Sequence, residues 1–127
     1  MKPQDITPEM LAFLQERHLA SLTTLRKDGS PHVVPVGFSY DPISNEVRVI
    51  TFSHSQKVRN ASLGARAAVS QVDGGRWLTL EGTVRTTTDP TEVAAAVAGY
   101  AARYQSPKER EDRVAIVISV DRILGRA

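Results

Sequence analysis

The sequence contains no cysteine. Disulfides, thiol nucleophiles and thiolate-ligated metals are therefore excluded. Aromatic residues are few: three Phe, three Tyr and a single Trp, so each large ring carries more weight than usual. No apolar run approaches the roughly 20 residues needed to cross a bilayer. The opening Met-Lys-Pro-Gln-Asp is polar and has no apolar signal-peptide core, so a cytoplasmic protein is expected. Neither sign of charge dominates, with 16 Lys/Arg against 14 Asp/Glu. Basic runs and basic-aromatic stripes are missing too, and no nucleic-acid partner is expected. The nucleophile elbow Gly-x-Ser-x-Gly, the P-loop and Gly-x-Gly-x-x-Gly are all absent. His18, His32 and His54 lack the close spacings of metal ligands, so no metal site is expected.

What remains is a chain of 127 residues, enough for one domain (1–127) with a core of its own. Thr7-Pro8-Glu9 combines an N-cap hydroxyl, a proline at the first helical position and an acid, which predicts a helix over 8–17. Leu19–Arg26 reads as a strand, Lys27-Asp28-Gly29-Ser30 as a hairpin turn and Pro31–Tyr40 as a second strand. A turn at Asp41–Asn45 leads to Glu46–Phe52, where Val47, Val49 and Thr51 alternate onto one face. These three strands are expected to form a meander. A helix over 55–63 ends at Gly64. Strands Arg66–Val72 and Arg76–Thr86 flank the turn Asp73-Gly74-Gly75. Asp89-Pro90-Thr91-Glu92 starts a helix over 90–104, with Val93, Val97, Tyr100, Ala101 and Tyr104 on one face. A charged loop, Gln105–Asp112, precedes the last strand, Arg113–Val120. The fold expected is mainly β with short helices: a six-stranded antiparallel barrel. Its interior fills with side chains, which leaves a rim or a subunit interface for any ligand.

Thr51–Asn60 holds the densest potential chemistry. A strand ends in a Ser/His loop, and a helix begins with Lys57 in its first turn. Unpaired N–H groups, hydroxyls and an ammonium together suit a phosphate. A solvated surface helix is the other reading of the same residues. Pro35 removes a ladder donor inside a strand, which marks either an edge or a bulge aimed at a ligand. Trp77 fits core or dimer packing as well as a cofactor plate. Glu81, without a partner carboxylate, reads as a strand-end or interface charge.

These pieces in this order resemble the pyridoxamine-phosphate-oxidase-like split-barrel family. The residues that carry the likeness are Leu19–His32, Val33-Val-Pro-Val-Gly-Phe38, Asp41-Pro42, Ser55-Gln-Lys-Val-Arg-Asn60 and Ala68–Gly82. Within the family the chain is similar to the actinobacterial branch that uses the deazaflavin F420, and to its biliverdin reductases. The resemblance implies a homodimer with cofactor sites at the interface. It implies that the stretch around His32, Pro35 and Val36 lies along the cofactor ring. Thr51, Ser55, Gln56, Lys57 and Asn60 would hold the phosphate, and Trp77 would reach across from the partner subunit. Ser55 stands where some F420-binding relatives carry arginine, which shifts the burden onto Lys57 and Arg59. The implied activity is hydride transfer from reduced F420 to a conjugated acceptor, with no catalytic side chain assigned. An FMN-dependent oxidoreductase and a non-catalytic flavin- or haem-binding module are the alternatives.

Overall fold

The structure, a computed structural model, describes all 127 residues. A short 3-10 turn, Pro3–Asp5, leads into α1 (Pro8–Gln15). The strands and helices that follow are β1 (Ala20–Leu25), β2 (Pro31–Val36), β3 (Ser39–Asp41), β4 (Glu46–Phe52), α2 (Gln56–Ala61), β5 (Arg66–Asp73), β6 (Arg76–Thr87), α3 (Pro90–Arg103) and β7 (Arg113–Arg126). Thr7 and Asp89 cap their helices as the sequence predicts, and Ser55, expected as the first residue of its helix, is instead the cap of α2. Thr7 Oγ1 accepts from the Met10 amide, Ser55 Oγ from that of Val58, and an Asp89 carboxylate oxygen from that of Glu92. No helix is long and apolar enough to cross a membrane.

The strands form one antiparallel sheet of seven, in the order β2-β1-β5-β6-β7-β4-β3. The expected count of six is corrected because Pro31–Tyr40 is two strands, not one. The chain breaks at Gly37-Phe38, where the Tyr100 and Tyr104 rings press so close to Gly37 that an added Cβ would meet them at 3.0–3.1 Å. Phe38 is fully buried at this break. The expected meander is also corrected. β1–β2 and β3–β4 are separate hairpins at opposite ends of the strand order. β4 pairs instead with β7, from Glu46↔Ser119 to Phe52↔Arg113. β7 runs to Arg126, six residues past its expected end, because it pairs with nearly the full length of β6.

The sheet curls, since strands from both ends of the order share one core. Val36 of β2 and Val47 and Val49 of β4 pack in the same cluster as Leu22, Val69, Leu78, Leu80, Ile116 and Ile118. Alternation of buried and exposed positions along β4, β5 and β6 supplies this face. Pro35 lies on an edge strand in unbroken register with β1, so the edge reading holds and no bulge occurs there. The irregularity lies in β6 at Glu81/Gly82 instead. Glu81 is therefore mid-strand rather than at a strand end. α3 is only half-sunk, with Ala96 its one buried residue. Its Val93–Tyr100 face is left beside open grooves.

Candidate functional site

The hairpin edge β2, the end of β4, the start of α2 and the middle of α3 enclose a groove of 310 Å³. Pro35, Val36 and Gly37 form one wall, Val49–Phe52 another, and Tyr100 a third. Lys57, Arg110 and Arg113 supply its cations. The volume lies at the small end of the range for organic ligands.

Lys57 is half-buried, and it makes no ion pair and no hydrogen bond. Its ammonium lies 5.7 Å from the centre of the Phe52 ring. Burial pulls its pKa below the usual lysine range. An amine desolvated without an anion is a costly arrangement that a bound anion relieves. Arg110 stacks on the same Phe52 ring at 4.6 Å and is held by Asp112 through two hydrogen bonds of 2.9 and 3.0 Å. Arg113 opens β7 opposite Phe52 and donates to the Lys108 carbonyl, with no carboxylate partner. Arg110 was legible only as part of a charged loop and Arg113 only as the start of the last strand, because nothing local marks which of these cations turn toward β4.

Pro35, Val36, Thr51 and Lys57 of the sequence-derived set line the groove. Thr51 and Ser55 are buried and bond to each other, Oγ1 to Oγ at 3.3 Å. Gln56 Nε2 donates to Asn60 Oδ1 at 2.7 Å, while Gln56 Oε1 accepts from Arg59 at 2.6 Å. Asn60 is buried and donates to Thr24 Oγ1 at 3.0 Å, so it fastens α2 to β1 beneath the loop. Arg59 also donates to the His54 carbonyl and stiffens the turn before the helix. Thr51–Ser55 and Gln56–Asn60 are thus two separate polar pairs, and of the four only Thr51 lines the groove.

His32 pairs across the hairpin with Thr24. Its Nδ1 is buried and has no hydrogen-bond partner. Burial, then the charges of Arg26 and Lys57, hold its pKa below the ordinary histidine range. His32 does not line the groove, and its orphaned ring nitrogen is a polar group left without a partner. Trp77 is not part of this groove. It sits on the outward face of β6, 38 % exposed, beside Val72 and Arg126 in register.

His18 does acquire carboxylate neighbours in space. His18 Nε2 lies 3.2 Å from Glu16 and 3.6 Å from Asp73. Arg76 is inserted among them, bonding Glu16 at 2.6 and 3.0 Å and Asp73 at 2.6 Å. The guanidinium, with His18, holds the Glu16 carboxyl down at about 2. This cluster ties the end of α1 to the β5–β6 hairpin.

The profile of the pyridoxamine 5'-phosphate oxidase family matches residues 6–127. The chain belongs to that family. An F420H(2)-dependent biliverdin reductase of Mycobacterium tuberculosis is 50% identical over 122 residues, which cover 96% of this chain and 89% of that protein. A solved F420 reductase superposes with a TM-score of 0.76 at 26% identity, covering 94% of this chain and 98% of its own. A conserved hypothetical protein of Mycobacterium tuberculosis has the same fold, with a TM-score of 0.80 at 20% identity over 95% of this chain and 84% of its own.

Proposed function

We propose that this member of the family is an F420-dependent reductase whose cofactor occupies the groove between β2, β4 and α3. The observation that carries the reading is Lys57, a half-buried ammonium without an anion at the mouth of an apolar-walled groove. The similarity of half of all aligned residues to an F420H(2)-dependent biliverdin reductase supports the choice of cofactor. Lys57 neutralises the cofactor phosphate, aided by the hydroxyls of Thr51 and Ser55 and by the amides of Gln56 and Asn60. Pro35, Val36 and Gly37 offer a flat wall to a fused ring, and Tyr100 faces it from α3. His32 gives its neutral ring nitrogen as a further hydrogen-bonding group. When bound, reduced F420 supplies a hydride to a conjugated acceptor such as biliverdin.

The test is spectroscopic. Reduced F420 is expected to be reoxidised only when protein and biliverdin are both present, and at the same rate in air and without oxygen. Tighter binding of FMN than of F420, or draining of reduced F420 by oxygen alone, would move the protein to FMN chemistry.

The same reading includes a twofold dimer. Val72, Trp77 and Leu124 are exposed apolar side chains on β5, β6 and β7, where these strands pair side by side. Patches of this kind mark interaction surfaces. A second copy set on this face brings its own Trp77 and closes a site that one small subunit leaves open. Sedimentation is expected to give a dimer at micromolar concentration, and Trp77→Glu a monomer. A wild-type monomer with full cofactor affinity would refute the arrangement.

A further inference from the structure

The groove does not end at Arg113. Pro107, Arg110 and Arg113 also line a second concavity of 560 Å³, whose floor is Val93 and Val97 of α3. Val93, Val97 and Tyr100 stand at i, i+4 and i+7, so one face of α3 serves both hollows. That face has the spacing of a core-facing stripe, yet all three residues are only partly buried. A hollow of this size admits a second organic molecule beside the first.

Four cations line the two hollows and differ in their commitments; Lys108 lines only the second and has no ion pair. Arg110 is neutralised by the two-point contact with Asp112. Lys57 lines only the first groove. Arg113 lines both and has no carboxylate within ion-pair distance, although Glu109 and Glu111 share the second hollow with it. Its guanidinium keeps donors free beyond the one given to the Lys108 carbonyl.

We propose that the second hollow is the acceptor site and that Arg113 selects for an acceptor carboxylate. The inference rests on the reductase reading and adds to it a specificity-determining residue. Val93, Val97 and Pro107 give the hollow an apolar floor inside a charged rim of Lys108, Glu109, Arg110 and Glu111, and the Arg113 guanidinium, without a carboxylate partner, suits a conjugated, amphipathic carboxylic acid. Lys57 then serves the cofactor and Arg113, which lines both hollows, the acceptor.

The experiment is a non-turnover titration. Biliverdin and its dimethyl ester are titrated, by absorbance, into wild type, Arg113→Gln and Arg113→Lys, each with and without oxidised F420. Arg113→Gln is expected to weaken biliverdin roughly tenfold to a hundredfold. The same variant should weaken the ester and F420 clearly less than it weakens biliverdin, because the ester lacks the carboxylate and the cofactor phosphate is assigned to Lys57. Arg113→Lys should recover part of the loss. Equal weakening of acid and ester, weakening of F420 instead, no effect at all, or a wild type that binds no biliverdin would each overturn the assignment. Wild type that binds biliverdin but not F420 sinks the reductase reading, and the acid–ester comparison then decides on Arg113 in the protein without cofactor.

Discussion

Replacing Lys57 by methionine is expected to weaken F420 binding by about 1.5 to 3 kcal/mol, roughly tenfold to a hundredfold. Methionine keeps an unbranched apolar stem against Phe52 and removes only the charge. The folded protein should not suffer. Lys57 has no ion pair or hydrogen bond to lose, only a long contact with the Phe52 ring, and burial already disfavours its charged form. Thermal unfolding without ligand should therefore stay level or rise slightly, while calorimetric affinity for F420 falls. An affinity unchanged from wild type would return Lys57 to a merely half-covered surface lysine.

The same site should be visible through His32. Its pKa lies below the ordinary range because burial, Arg26 and Lys57 all disfavour the imidazolium. In the unfolded chain the ring takes a proton as pH falls through its ordinary value, and in the folded chain it does not until a lower pH. Folding stability therefore declines on acidification across that window. A phosphate against Lys57 offsets one of the opposing charges. The His32 midpoint, followed by NMR, should move up when inorganic phosphate is added, and Lys57→Met should remove the phosphate response. A midpoint indifferent to phosphate would separate His32 from the anion site.

Local chemistry in the sequence was enough to locate the elements around the site. The caps at Thr7, Ser55 and Asp89, and the turns at Gly29, Gly64 and Gly74 with positive φ, involve neighbours in the chain, so their residue types announce them. Thr51, Ser55 and Lys57 were readable for the same reason, because a strand end, a cap and a first turn lie within seven residues. Long-range facts were not readable. The break at Gly37 depends on Tyr100 and Tyr104, more than sixty residues away in sequence, and the separation of the two hairpins depends on β5 and β7 claiming β1 and β4. Arg110 and Arg113 joined the groove only because β7 pairs with β4 and delivers the end of a charged loop to Phe52. The half-buried stripe on α3 had the period of a core face, and the period alone does not say whether the partner is the core or a ligand.

Arg103→Met is expected to cost about 2–4 kcal/mol of stability, because it strands several half-buried or buried acceptors at once. Arg103 Nε donates to the Glu16 carbonyl at 2.9 Å and Nη1 to the Phe38 carbonyl at 2.7 Å. Nη2 donates to Gln71 Oε1, and Gln71 is fully buried, with its Nε2 on the Phe13 carbonyl at 2.8 Å. The guanidinium also lies 4.5 Å from the Phe38 ring centre and 5.2 Å from that of Tyr104. No carboxylate neutralises it, and burial pulls its pKa down from the usual arginine range. One planar fork thus binds the end of α3 to α1, to the break between β2 and β3, and to β5. For a chain of this length the loss should lower the melting temperature by roughly 10 °C. Arg103→Lys should recover little, since an ammonium cannot reach three acceptors set in a plane. The consequence extends to the site. Tyr100 lies one turn before Arg103 and packs at 4.9 Å on Tyr104, whose hydroxyl is anchored to the His18 carbonyl at 2.6 Å. Freeing this end of α3 loosens the Tyr100 wall of one groove and the Val93–Val97 floor of the other. Affinity for cofactor and acceptor should therefore fall together, unlike the separate losses expected at Lys57 and Arg113. A folded, fully stable Arg103→Met protein with wild-type binding would show that α3 is held by its apolar contacts alone.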